Sequence, residues 1–455
     1  MRRVVLMSLF IFCLVLCQAQ VKVTKKVSHD KMLERFLSYV KIESQSIDDP
    51  DINSFPISEG QKQIARLIYD EVKAMGGKDI KITLSDDYYI YIDIPSNIKN
   101  KVPSLLFMAH MDVTPEAPGK GINPIVHNNY NGGDILLPGG ITISPKDPGR
   151  EHLKDLVGKT IVTSDGNTLL GADDKTGCAV LISMVEELIN NPKFKHGRVM
   201  VMLSQNEDVG KAAMRYEPSV FGDKPDVVID IDGGDHNRFS IANFTATNQI
   251  YYFKGNDVHP GRAKAGKYGD ARTAAAYFIG MIPPEMNPAH RDGEEGYMHC
   301  YSIEHPYNNE GKEIKTDYLV KVRLRYFDKD EGIYQKRLMT ENLIKTQQAF
   351  PNVAVTKTND FTQYENIAYT LPSFLPDMIE KATNDAKIPM KTQSKRGGTT
   401  ASLIVAKFPN DIPGAPGIYS GQQSAHSRFE WACIDELLLI VNVCENLISK
   451  ISEMK

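Results

Sequence analysis

Cysteine is scarce in this chain and forms no framework. Six occur in 455 residues, with no C-x-x-C spacing, so a dense disulfide scaffold is excluded. Cys13 and Cys17 fall in an N-terminal apolar run, and the other four, Cys178, Cys300, Cys433 and Cys444, read as isolated core thiols. Cys433 and Cys444 share a helix-like segment and would lie roughly 16 Å apart along it, too far for a mutual disulfide. Excess basic charge is missing too. Lysine and arginine number 53 against 57 aspartates and glutamates, a formal charge of -4 that offers no surface to a nucleic-acid backbone and leaves small or neutral partners. There is no internal repeat or heptad run. Beyond the N-terminus no apolar stretch reaches membrane length, so no transmembrane span is expected in the mature chain.

What is present is the composition of a globular protein, 42% hydrophobic and 24% charged, in a chain long enough for about two domains. The opening "MRR", the apolar "VVLMSLFIFCLVLC" and "QAQ" fit the three parts of a secretory signal peptide covering residues 1–19. A secreted or periplasmic location follows. A lipid anchor through Cys17 is the weaker reading, because Leu16 stands where a lipoprotein signal usually has a small residue.

Residues 59–75, "EGQKQIARLIYDEVKAM", predict an amphipathic helix with Ile64, Leu67, Ile68 and Val72 on one face and Gly76 and Gly77 ending it. The runs "SLLFMAH", "GCAVLISMVEELI", "RVMVMLS" and "DVVIDID" then give strand, helix, strand, strand. The fold class is therefore α/β, a helix-covered, mostly parallel sheet. Between 245 and 361 the texture changes to alternating strands such as "QIYYFKG" and "YLVKVRLRYFD" around two helices, an α+β unit inserted into the first domain. The expected division is 20–244 and 362–455 for the catalytic domain and 245–361 for the insert. The Gly/Pro-rich stretch 114–149 is too long for a plain connector and is expected to be a functional loop near the site.

Chemistry enters where apolar runs stop. The strand "LLFMAH" ends at His110, with Asp112 two residues on, so both point to one side at the C-terminal edge, where open α/β sheets keep their sites. Four more clusters behave alike: "LLGADDKTG" with Asp173 and Asp174, "VMLSQNEDVG" with Glu207 and Asp208, "VVIDIDGGD" with Asp230 and Asp232, and "GQQSAHSRFE" with His426. Each alone fits a capping or solvated acid. Together they would crowd like charges at one sheet edge unless cations neutralise them, and two metal ions are the economical explanation. Mixed histidine and carboxylate donors suit Zn²⁺, with Mn²⁺ or Co²⁺ as substitutes.

Seven motifs in order, "HMD", "TLLGADDKTG", "NEDVG", "DGG", "VHPGRAK", "KRGGT" and the late histidine, resemble the peptidase T branch of the two-zinc aminopeptidases, deacylases and carboxypeptidases. The resemblance covers nearly all the mature chain. It implies two Zn²⁺ per subunit, His110 on the first with Asp112 orienting it, Asp173 bridging, Asp232 completing the first site, and Asp208 and His426 holding the second. It makes Glu207 the general base, His259 of "VHPG" the lid histidine and Arg396 the holder of a peptide's terminal carboxylate. Arg325 of "RLRYFD" is a further substrate-binding candidate on the cleft side of the insert. The insert is expected to act as a lid and as the surface for a homodimer. Two departures stand out. Asp208 replaces the family's second glutamate, and "RGGT" continues with Thr400 and Ala401 where the family commonly has Asp-Gly. The implied function is an aminopeptidase acting on short peptides, tripeptides by resemblance. Another exopeptidase or an amide deacylase is the near alternative. A non-catalytic binding protein is the distant one, opposed by the presence of Glu207 and a candidate for every ligand.

Overall fold

A computed structural model of the chain describes residues 23–51, 53–265 and 267–454; the signal segment read from the sequence lies outside them. An eight-stranded sheet forms the larger unit, in the order Lys81–Leu84, Ile90–Ile94, Val199–Ser204, Leu105–His110, Val227–Gly233, Gly417–Tyr419, Arg238–Asn243, Lys391–Lys395. Its four central strands, Val199–Ser204 to Gly417–Tyr419, run parallel. The hairpin Lys81–Ile94 and the strand Arg238–Asn243 join them antiparallel.

The central strands read as unbroken apolar runs because both their faces are covered. Along Leu105–His110, the residues Leu105, Phe107 and Ala109 pack under helices, and Leu106 and Met108 face a second cluster with Tyr91, Met200 and Ile404. The helices over the first face include Glu59–Met75, Ala172–Asn190 and Ile434–Ser452. The first carries a capping box at Ser58, and Ile64, Ala65, Ile68 and Val72 are buried. Loss of such a cap costs about 1 kcal/mol. Leu67 is a correction: it stays exposed, because Ala65 completes the buried stripe and leaves Leu67 at its edge.

The insert has its own four-stranded antiparallel sheet, ordered Tyr297–Glu304, Tyr318–Tyr326, Thr245–Lys254, Ala354–Tyr364, with helices Ala271–Gly280 and Lys329–Ala349 packed on it. Pairing with Thr245–Lys254 continues to Tyr364, past the expected end at 361, because this polar edge strand carries almost no apolar signal. The 114–149 stretch is not an open loop. Ile125–His127 pairs with Ile161–Thr163, and Tyr130, Ile135, Leu137 and Ile143 bury against Leu153 and Trp431. Cys178, Cys433 and Cys444 are buried free thiols, and Cys300 is a half-buried one.

Candidate two-metal active site

Strand alternation brings His110 out at the edge of the sheet, and Asp112 turns back to lie against its ring, 3.4 Å from Nδ1. Asp112 also accepts from the Ser46 hydroxyl at 2.5 Å and from the backbone N–H groups of Glu207 and Asp208 at 3.1 and 3.2 Å. One buried carboxylate thus fixes both the ring and the segment that carries the next two acids.

Asp173 lies at the head of the helix Ala172–Asn190, and its two oxygens face different histidines. Oδ1 is 3.0 Å from His110 Nε2, and Oδ2 is 3.3 Å from His426 Nε2. That is the disposition of a bridging carboxylate. Asp232, at the end of Val227–Gly233, stands 3.7 Å from His110 Nε2, and Asp208 Oδ1 stands 2.8 Å from His426 Nε2. The next acid, Asp174, accepts from the backbone N–H of Gly177 at 3.1 Å.

The electrostatics ask for positive charge. Burial and then Asp173 raise Asp208 well above the carboxylate range; Asp232 is raised by burial and then Asp173. Burial works to lower His110, but Asp232, Asp112 and Asp173 outweigh it and carry its pKa well up. Asp173 and then Asp208 push His426 up to about 12. Asp208 Oδ2 is buried without a hydrogen-bond partner. Donor atoms of His110, Asp173 and Asp208, and of His110, Asp174 and Asp232, gather within 4.8 Å of one another. Mixed imidazole and carboxylate donors, an unused buried oxygen and clustered acids fit two divalent cations. Asp208 reaches His426 despite its shorter side chain.

Glu207 stands beside these donors, with Oε2 3.9 Å from His110 Nε2. Burial lifts its carboxyl to about 7, the range in which a group can take up a proton and give it back. The hydroxyl of Thr400, first residue of the helix Thr400–Lys407, donates to Oε1 at 2.6 Å. The second departure therefore supplies an anchor for the Glu207 carboxylate. Thr400→Val is expected to lower kcat roughly ten-fold, the value of a hydrogen bond to a charged group, with little change in KM. Because that bond stabilises the carboxylate, its loss should also move the acidic limb of the kcat profile to higher pH, and Thr400→Ser should restore it.

The cleft over these groups, about 340 Å³, is lined by Asp173, Glu207, Asp208, Asp232, Lys395, Thr399 and His426 among others. His110 and Asp112 are buried rather than part of its lining, and Arg325, Arg396 and His259 lie away from it. Arg325 is a correction: it is buried in the insert, where Nη1 donates to the carbonyls of Thr247 and Leu324, so neither cleft nor solvent receives it. Arg396 lies across from the insert, Nη1 donating to the carbonyls of Gly293 and Glu295 at 2.8 and 2.9 Å, and its neighbour Lys395 lines the cleft instead. His259 sits in an exposed turn of the insert, where Nδ1 accepts from the Gly261 N–H at 3.2 Å. That bond leaves the ring proton on Nε2, facing away from its own turn.

Glu430 went unassigned in the sequence, although it closes the "GQQSAHSRFE" motif. Its Oε2 accepts from the N–H groups of Leu170, Gly171 and Ala172, and its Oε1 accepts from the N–H of His426. It thereby ties the approach to Asp173 to the segment bearing His426. Both Asn206 and His426 take up left-handed backbone, at φ 56° and 60°. Such a conformation is costly for His426, and surrounding contacts of this kind hold it.

No protein-family model matches the chain. Among curated proteins, it is 33% identical over 431 residues to peptidase T of Geobacillus kaustophilus strain HTA426, covering 93% of this chain and 99% of that one. Peptidase T of Halothermothrix orenii is 32% identical over 422 residues, at 92% and 98% coverage. Among solved structures, aminopeptidase PepT from Bacillus cereus ATCC 10987 superposes with a TM-score of 0.68 at 16% identity, over 94% of this chain and all of that one. A dinuclear metal-binding peptidase of the M20 family from Bacillus subtilis gives 0.59 at 11% identity, over 94% and 99%.

Proposed function

The chain belongs to the peptidase T family, and from that premise we propose that it is a metal-dependent aminopeptidase that releases the N-terminal residue of tripeptides. The observation that carries the reading is Asp173, with one oxygen on each histidine, beside a carboxylate whose pKa lies near 7. His110, Asp173, Asp232, Asp208 and His426 would hold two divalent ions, which would supply the charge to polarise a peptide carbonyl and acidify water; zinc suits the donors.

The protein's own groups do the rest. Thr400 fixes Oε1 of Glu207, so Oε2 is the oxygen left to accept the proton of the attacking water and return it to the leaving amine. Asp112 keeps His110 oriented through Nδ1, leaving Nε2 toward Asp173. His259 brings an Nε2–H donor to the developing oxyanion when the insert closes or a second copy presents it. Pairing of two copies through the insert belongs to the same reading, supported by the exposed Tyr301 and Ile303 on its edge strand. Export to a secreted or periplasmic location rests on the signal segment in residues 1–19. No helix among the described residues is long and apolar enough to cross a membrane.

Lys395 is the lining cation nearest in kind to what a peptide's terminal carboxylate needs. Lys395→Gln is expected to raise KM for tripeptides roughly ten-fold and to leave C-terminally amidated tripeptides unaffected. The same split produced by Arg396→Gln instead would return the role to Arg396. The reading as a whole is tested by chelation. Dialysis against a chelator should abolish tripeptide hydrolysis and zinc or manganese should restore it, with about two ions bound in the cleft per chain. Full activity without metal would overturn it.

A further inference from the structure

His426 reaches the cleft from the turn of a hairpin. Gln422–Gln423 pairs antiparallel with Trp431–Cys433, and His426 stands between them. The base of the hairpin is buried, whereas the side chain of His426 is 37% exposed. The turn is strained, because Ser424 as well as His426 holds left-handed backbone, at φ 54° and 60°. A segment of that kind relaxes unless its surroundings pin it.

Glu430 supplies the pin. It is buried, and backbone N–H groups take up both oxygens of its carboxylate. Oε2 sits in the concavity made by three successive N–H groups, those of Leu170, Gly171 and Ala172, at 2.9, 2.5 and 3.2 Å. Oε1 crosses the hairpin turn to the N–H of His426 at 3.1 Å. Ala172 immediately precedes Asp173, so a single carboxylate spaces the backbone of two residues whose side chains meet, with Asp173 Oδ2 3.3 Å from His426 Nε2. The ring of His426 has a further partner in Glu116, whose Oε2 lies 3.0 Å from Nδ1, but the Glu116 side chain is 69% exposed. An exposed carboxylate of that kind holds a ring weakly against solvent, and the buried anchor decides where His426 stands. Glu430 bonds to neither His110 nor Asp232, the residues of the first metal position.

On the two-metal reading, we propose that Glu430 is the positioning residue of the second metal. It sets the separation of Asp173 and His426, so affinity at that position depends on it and affinity at the first does not. The geometry requires a carboxylate, because both oxygens must accept. In Glu430→Gln the amide oxygen keeps the three N–H groups and the NH2 group is turned against the N–H of His426, donor facing donor. The strained turn then relaxes, and His426 leaves its register with Asp173.

The test is a zinc titration of the parent and of Glu430→Gln against a chromophoric chelator, read beside an anomalous-diffraction map of each zinc-loaded crystal. Two stepwise constants are expected in the parent. In the variant one should stay within about two-fold of the parent's and the other should weaken about 10–100-fold, the usual cost of losing an outer partner. The zinc peak should persist beside His110 and Asp232 and fade beside His426. Amide hydrogen exchange in the hairpin turn should quicken, while Leu170, Gly171 and Ala172 keep their protection. Glu430→Asp covers the case in which the amide does not fold: it keeps the charge but is one methylene too short to span both segments, so the selective weakening should remain. Both ions weakened alike, or neither weakened, would overturn the role of Glu430 and leave the active site standing. A parent that takes up no zinc in the cleft would overturn the two-metal reading, and this role with it.

Discussion

Glu207→Gln is expected to lower kcat for tripeptide hydrolysis by roughly 10³-fold, within the 10²–10⁴ range typical of a lost general acid–base group, with metal content and Tm unchanged. A thousand-fold is about 4 kcal/mol of transition-state stabilisation. The amide keeps the shape of the acid and can still accept from Thr400, so the anchor at 2.6 Å and the backbone bonds to Asp112 survive. What it loses is the capacity to take up a proton, which burial had placed in working range by lifting the acid to about 7. Elemental analysis and single-turnover kinetics on the same sample separate this from loss of a ligand. Asp208→Ala provides the contrast. It removes a donor 2.8 Å from His426 and should cost one ion as well as activity. If both variants lost metal alike, the division between base and ligand would be wrong.

Asp173→Ala should be more damaging still. Asp173 alone sends one oxygen to each of the two histidines, so its removal deprives both metal positions at once, and both metals should bind at least about 100-fold more weakly. Activity should fall to background, and the cleft metal content should drop from about two per chain to below one. The protein should still fold, because the neighbouring Asp174, not Asp173, holds the head of the helix through Gly177. Equilibrium dialysis against zinc, read beside far-UV circular dichroism, checks both halves of this expectation. Retention of one tightly held cleft ion would show that the two positions do not share Asp173.

These residues were legible because they end elements with strong periodic signals. The strands Leu105–His110 and Val227–Gly233 are apolar on both faces, so their ends are visible, and His110 and Asp232 mark them. The helix Glu59–Met75 announced itself through its apolar stripe and the two glycines that end it. Glu430, Thr400 and Lys395 gave no such sign. Their roles come from partners far away in the chain, such as Leu170 and Glu207, and no local pattern encodes a distant contact. The edge strand Ala354–Tyr364 was invisible for a related reason: exposed on most of its length, it lacks the apolar alternation that marks half-buried strands. Arg325 was misplaced because alternation tells which residues share a face but not whether backbone carbonyls of Thr247 and Leu324 will claim the side chain first.

The central claim is that the cleft cuts the first peptide bond of a short peptide with a free amino terminus, and product identification tests it most directly. Zinc-loaded protein is incubated with an unblocked tripeptide of three different residues and with its N-acetylated form, and the products are resolved by mass spectrometry. The account predicts the free N-terminal amino acid and the remaining dipeptide from the first, and no cleavage of the second. Release of the C-terminal residue, or of acetate from the blocked peptide, would contradict it.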